Sequence, residues 1–246
     1  MNPEPSPLEP DTKDWTWVLE RPCDECGFDA SAYDRPAIPR AFRKNAHVWF
    51  ALLADPAAGV RSRPDRWSTL EYACHVHDVH QIYHDRVSLM LAEDDPLFAN
   101  WDQDSSAELG RYADQLPSII GPTLVAAAYA IGDLYDSVPP LSWQRRGRRS
   151  DGHVFTIESL ARYQLHDVVH HLHDVRHAAR SATIRAYDAS ADHDQAVGAG
   201  EEHDQDGGER ERGQRNQHEG TLQPPAGPTS VRAIPEIWDE LGDRGL

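Results

Sequence analysis

The chain has 246 residues, 39% of them hydrophobic and 8% aromatic, and a net charge of −17 from 24 basic and 41 acidic side chains. That suffices for one real core with appendages, and an acidic surface that repels phosphate at long range excludes a dedicated nucleic-acid binder. No apolar run approaches the roughly 20 residues of a membrane span, the opening MNPEPSPLEPD lacks the basic start and apolar stretch of a signal peptide, and three cysteines are too few for a disulfide scaffold, so a soluble, cytoplasmic protein without membrane partners is expected. Histidine is the abundant residue. Of fourteen, four fall in residues 75–84 and five in residues 166–177.

Residues 1–36 read as an ordered arm that carries Cys23-Asp24-Glu25-Cys26. From Ala37, Phe42, Ala46, Trp49, Phe50 and Leu53 recur at spacings of three and four, a first helix closed by Asp55-Pro56. Ser68 and Glu71 stand in capping-box spacing and open a long second helix that ends at Asp95-Pro96. A turn-rich connection (96–106) follows, then a short helix stopped or kinked at Pro117, and a third main helix disturbed at Gly121-Pro122. Residues 139–155 suggest a loop or small hairpin turning at Asp151-Gly152, before a fourth long helix preceded by Thr156 and Ser159. Four helices without a strand series define an all-α four-helix bundle over residues 37–187. Residues 188–232 hold almost no large apolar side chains and are expected to be disordered, with a short amphipathic helix in 233–246. Residues 188–246 carry 14 acids and 5 bases, a net of −9, so the body itself is only moderately acidic.

Helical phase places His75 nearest the apolar stripe of the second helix, while His166 and His170 form an i, i+4 pair on the fourth, the geometry by which two imidazoles reach one ion. One histidine from one helix and two from another make a three-ligand site with an open position for water or substrate. Such an ion lowers the pKa of bound water or of a coordinated thiol. Asp78 and Asp167 are candidates to accept the second imidazole proton, as are backbone carbonyls. Histidine-rich helices are also met as plain solvated surface.

Trp67-Ser68, Glu71, His75 and Asp78, with LHDVVHHLHDV in the fourth helix, resemble the DinB-like superfamily, and most nearly the metal-binding domain shared with mycothiol-dependent maleylpyruvate isomerase. The resemblance covers about residues 37–185. It implies a four-helix bundle around a divalent ion, zinc first, with nickel or iron as alternatives, and carries the ligand roles to His75, His166 and His170. The isomerase has a glutamate where this chain has His166, which sets the all-histidine reading nearer to bacillithiol-type or uncharacterised branches. The function implied is a thiol-dependent S-transferase or isomerase, in which the metal activates a low-molecular-weight thiol of the mycothiol kind toward an electrophile. The rival is a non-catalytic metal-binding or stress-response bundle acting through a partner, and a metal-assisted hydrolase is a third option. A homodimer stays open.

Cys23 and Cys26 have C-x-x-C spacing but no second such pair, so a turn is the default and a metal or redox role the alternative. Cys74 adjoins His75 but points elsewhere on the helix. Arg145, Arg146, Arg148 and Arg149 form the densest basic cluster; Arg145 and Arg146, with Arg86 near the core stripe, are the candidates to hold an anionic substrate group. Trp101, Asp102, Asp104 and Trp143 either line a pocket entrance or cap the end of the bundle.

Overall fold

A computed structural model describes the backbone of residues 14–198 and the side chains through residue 177. The order of elements is α1 (Ala37–Leu52), α2 (Thr69–Ala92), α3 (Gln103–Leu109), α4 (Pro117–Ser137), β1 (Arg146–Arg148), β2 (Val154–Thr156) and α5 (Ile157–Gly198), with short 3-10 turns between them. The helical backbone of α5 runs on to Gly198, past Tyr187, so residues 188–198 are helical where disorder was expected. The rest of that segment and the helix expected in 233–246 lie outside the described residues.

Four long helices make the bundle. α1 packs on α4 and α5, and α2 packs on the same two. Consecutive helices α1 and α2 therefore face each other across a diagonal, and so do α4 and α5. Long connections between the diagonal partners make this possible. Phe42, Ala46 and Trp49 of α1 meet Val76, Val79 and Val87 of α2, Leu124 and Ile131 of α4, and Leu160, Leu165 and Val168 of α5 in one buried core. Each such aliphatic or aromatic side chain contributes about 1.5–3 kcal/mol by leaving water. Phe50, expected on the α1 core stripe, is 50% exposed.

The capping box at α2 forms as expected. The Ser68 amide donates to Glu71 at 2.8 Å, and the Glu71 amide donates to the Ser68 hydroxyl at 3.2 Å. Arg61 closes on the Glu71 carboxylate from the preceding loop, which anchors the first turn of α2. Pro117 starts α4 instead of stopping a helix before it, as its missing amide allows at the first position. Pro122 lies early in the same helix, where it forfeits a single bond, and α4 continues unbroken to Ser137. By length and composition α4 is long and apolar enough to cross a bilayer, contrary to the expectation that no such run exists; Ile120, Leu124, Ala128, Ile131 and Tyr135 bury one face of it in the bundle. The hairpin pairs Arg146 with Thr156 and Arg148 with Val154, and Gly152 takes the left-handed backbone (φ 91°) that its turn requires. The arm lies along α5 through its 3-10 turns, with Val18, Cys23, Phe28 and Ala30 buried in the core.

Candidate metal centre

α2 delivers His75 into the bundle about two turns after its cap. The ring is fully buried, stacked on Trp101 (5.4 Å between centroids, 12° between planes), tilted against Trp67 and edge-on to His171 at 4.7 Å. Neither ring nitrogen of His75 has a hydrogen-bond partner, and the buried Asp167 Oδ1 also lacks one. Buried polar atoms are rarely left in that state. His75 Nε2 lies 3.7 Å and His171 Nε2 3.6 Å from the same Asp167 oxygen. Those separations are too long for hydrogen bonds, whereas two ligands held on one ion at about 2.1 Å and a tetrahedral angle stand about 3.4 Å apart. The donor atoms of His75, Asp167 and His171 all lie within 4.8 Å of one another. An ion fits this set better than hydrogen bonding does.

His166 and His170 turn the other way. Their ligand atoms group with those of Cys23 and Cys26, again all within 4.8 Å. The expected set of His75, His166 and His170 is therefore divided between two groups, each served by an i, i+4 pair from α5. On a helix advancing about 100° per residue, Asp167 and His171 stand on average about 115° to one side of the Leu165, Val168 and Leu172 stripe, and His166 and His170 about 145° to the other. The second pair is turned about 100° from the first. The arm covers it.

The electrostatics follow from burial. Burial alone would raise the Asp167 carboxyl, but His75, His171 and His166 around it bring it down to about 2. Burial, with the neighbouring His170, pulls His166 down to about 4, and it lowers His75 as well. The His75 and His166 imidazoles are thus neutral and the Asp167 carboxylate ionised at neutral pH, the forms in which each binds a cation.

A cavity of about 440 Å³ opens onto the first group, with His166, Asp167 and His171 in its lining together with Trp15, Trp101 and Tyr163. Arg86 and Arg149 also reach it. Arg149 is held by Asp151 at 2.5 Å, but Arg86 lies over the rings of Tyr83 and Phe98 (5.3 and 5.4 Å) and pairs with no carboxylate among the described residues.

Several expected roles change. Asp167 stands among the donor atoms and not behind them. Asp78 accepts from the Tyr112 hydroxyl and faces His77 Nδ1 at 3.0 Å, so it supports neither ligand imidazole. Arg145 donates to the carbonyls of Met90 and, at 2.6 Å, Glu93, capping the C-terminal end of α2. Neither Arg145 nor the exposed Arg146 lines the cavity, whereas Arg149 of the same run does. Asp102 caps α3, although with Trp101 and Asp104 it also borders the cavity, while Trp143 is buried away from it against Tyr135. Cys74 is buried with its thiol toward the Tyr112 carbonyl. His80, fully buried, is bridged by Gln164 to Tyr135 and belongs to neither group.

Fold and site together define a four-helix bundle with two groups of side chains that could hold a metal ion, one of histidine and carboxylate donors and one of histidine and cysteine donors. No family model matches the chain, and no curated protein matches it. Among solved structures it is similar to YfiT from Bacillus subtilis, described as "a probable metal-dependent hydrolase with an unusual four-helix bundle topology", at a TM-score of 0.52 and 19% identity over 60% of this chain and 85% of that one. The likeness, at this identity, is one of fold alone, and the fold is the four-helix bundle expected from the sequence.

Proposed function

We propose that the chain is a metal-dependent enzyme that joins or rearranges a small anionic electrophile with the help of a low-molecular-weight thiol, with His75, Asp167 and His171 holding the ion. The observation that carries this reading is the unpartnered donor atoms of His75 and Asp167, with Asp167 and His171 lining an open cavity. A divalent ion there supplies positive charge that draws the proton from a coordinated thiol or water. Among the described residues the cavity lining contains no serine, cysteine or lysine, which favours a nucleophile supplied by a co-reactant. At about 440 Å³ the cavity exceeds the roughly 30 Å³ share of a water many times over, which suits a thiol cosubstrate beside its electrophile. Arg86 binds the anionic group of the substrate, Trp101 fixes the orientation of His75, and Trp15 shields the site from water. An acidic residue at the first α5 position, Asp167 in place of the expected His166, favours the carboxylate-bearing pattern of the thiol-dependent isomerases over the all-histidine one. YfiT favours a second reading, hydrolysis, in which water replaces the thiol.

The test is incubation of the metal-loaded protein with mycothiol, bacillithiol or a simple thiol and a chromogenic anionic electrophile, beside ester and amide substrates without thiol. Turnover that needs thiol and is abolished by chelator is expected, with Arg86→Ala raising KM by roughly tenfold, the scale of one lost hydrogen bond to a charge. Thiol-independent, chelator-sensitive hydrolysis moves the assignment to the second reading. Absence of both leaves a non-catalytic metal-binding bundle.

A further inference from the structure

The arm brings Cys23 and Cys26 against His166 and His170, and the geometry points to a second metal site: a Cys2His2 centre for a thiophilic ion of the zinc type, distinct from the His75, Asp167, His171 group and serving to clamp the arm onto α5. The C-x-x-C segment is bent for such a role. The Cys23 amide donates to the Phe28 carbonyl and the Gly27 amide to the Cys23 carbonyl, both at 2.8 Å, and Gly27 takes the left-handed conformation (φ 74°) that lets the chain reverse behind the second cysteine. Cys23 Sγ stands 3.8 Å from His170 Nδ1. Sulfur and nitrogen on one tetrahedral zinc, at about 2.3 and 2.05 Å, stand about 3.6 Å apart.

Burial and donor chemistry point the same way. Cys23, His166 and His170 are buried and Cys26 is half-buried, and the buried His166 Nε2 has no partner. Trp15 covers both imidazoles (5.3 and 4.7 Å) and Phe28 meets His166 edge-on at 5.5 Å, so the centre is walled by aromatic rings. Glu25 and Asp174 lie 3.6 and 3.8 Å from His170 Nε2, where they favour the tautomer that leaves Nδ1 free as a donor. Two thiolates and two neutral imidazoles cancel the charge of a divalent ion, which suits a buried centre. Four protein donors also fill a tetrahedral shell and leave no position for substrate, the hallmark of a structural site. Binding displaces one proton from each thiol to solvent and involves no change of oxidation state. Because Trp15 belongs both to the arm and to the cavity wall, this centre would also hold that wall in place.

The experiment reads metal and not turnover. Purified under reducing conditions and loaded with zinc, the wild-type chain is expected to hold two equivalents by elemental analysis. After cobalt loading it should show the intense near-ultraviolet charge-transfer band of a thiolate-bound ion. C23S/C26S should retain one equivalent and lose the band. H75A/H171A should retain one equivalent and keep it. A cobalt-loaded wild type without the thiolate band overturns the proposal, as does a metal count unchanged in C23S/C26S, or a Cys23–Cys26 disulfide in the reduced, metal-loaded protein. If C23S/C26S does not fold, a thiol reagent applied to wild type decides: zinc should protect two thiols, which chelation then exposes, and no protection overturns the assignment. A wild type with one equivalent, bearing the thiolate band, would support this centre while removing the one proposed for catalysis.

Discussion

Two groups of donors share less than two turns of α5 and differ by one residue in phase. Asp167 and His171 look into the bundle toward His75, where no hydrogen bond satisfies the donor atoms of His75 and Asp167 and a cavity opens beside them. His166 and His170 turn toward the arm and meet its two cysteines, under tryptophan. A rotation of about 100° therefore exchanges an open three-donor set with one carboxylate for a filled four-donor set with two thiols. Side-chain chemistry alone does not distinguish the two pairs. What each pair faces does.

The largest effect that separates the groups is expected from Asp167→Asn, which removes the anionic donor of the first and none of the second. Its metal should bind at least roughly 100-fold more weakly in a chelator competition, with the thiolate-bound ion unaffected; equal weakening of both ions would show a single shared centre. Acid supplies the next contrast, because His80 is a buried histidine of α2 outside both groups. Burial pulls it down to about 3 from 6.5, so between those values the unfolded chain takes up a proton that the native chain refuses. Stability in chelator is thus unaffected by this group above pH 6.5 and falls as pH drops toward 3, by up to about 1.4 kcal/mol per pH unit. Urea midpoints measured across this range should fall less steeply for His80→Gln than for wild type, and parallel curves would show that His80 does not titrate this way. Arg145→Ala should cost about 1–2 kcal/mol by freeing the α2 carbonyls while both metal equivalents remain, which would separate capping from substrate binding. Smallest is Ser68→Ala, at about 1 kcal/mol from the lost N-cap; a change in metal content there would mean that α2 is not held in register by its box.

Much of the bundle was legible because its signals are local. The capping box of Ser68 and Glu71, the turn at Asp151-Gly152 and the apolar period of α1 each arise within a few residues, and each appears where the pattern put it, Phe50 excepted. Pro117 misled, since proline ends one helix and starts the next with equal ease. His171 was present in the same motif as His166 and His170, and the phase of α5 against Leu165, Val168 and Leu172 was the signal that could have selected it. Arg149 reached the cavity, whereas Arg145 is held by the carbonyls of Met90 and Glu93, a long-range contact that the basic run itself does not signal.

The sequence by itself determined four long helices and placed residue types able to ligate a metal on two of them, since periodicity, caps and donor residues are properties of short stretches. Only the tertiary structure decided how the donors are shared. Cys23 and His170 are 147 positions apart, and their meeting depends on the diagonal order of the bundle and on the path of the arm along α5, neither of which any local pattern encodes.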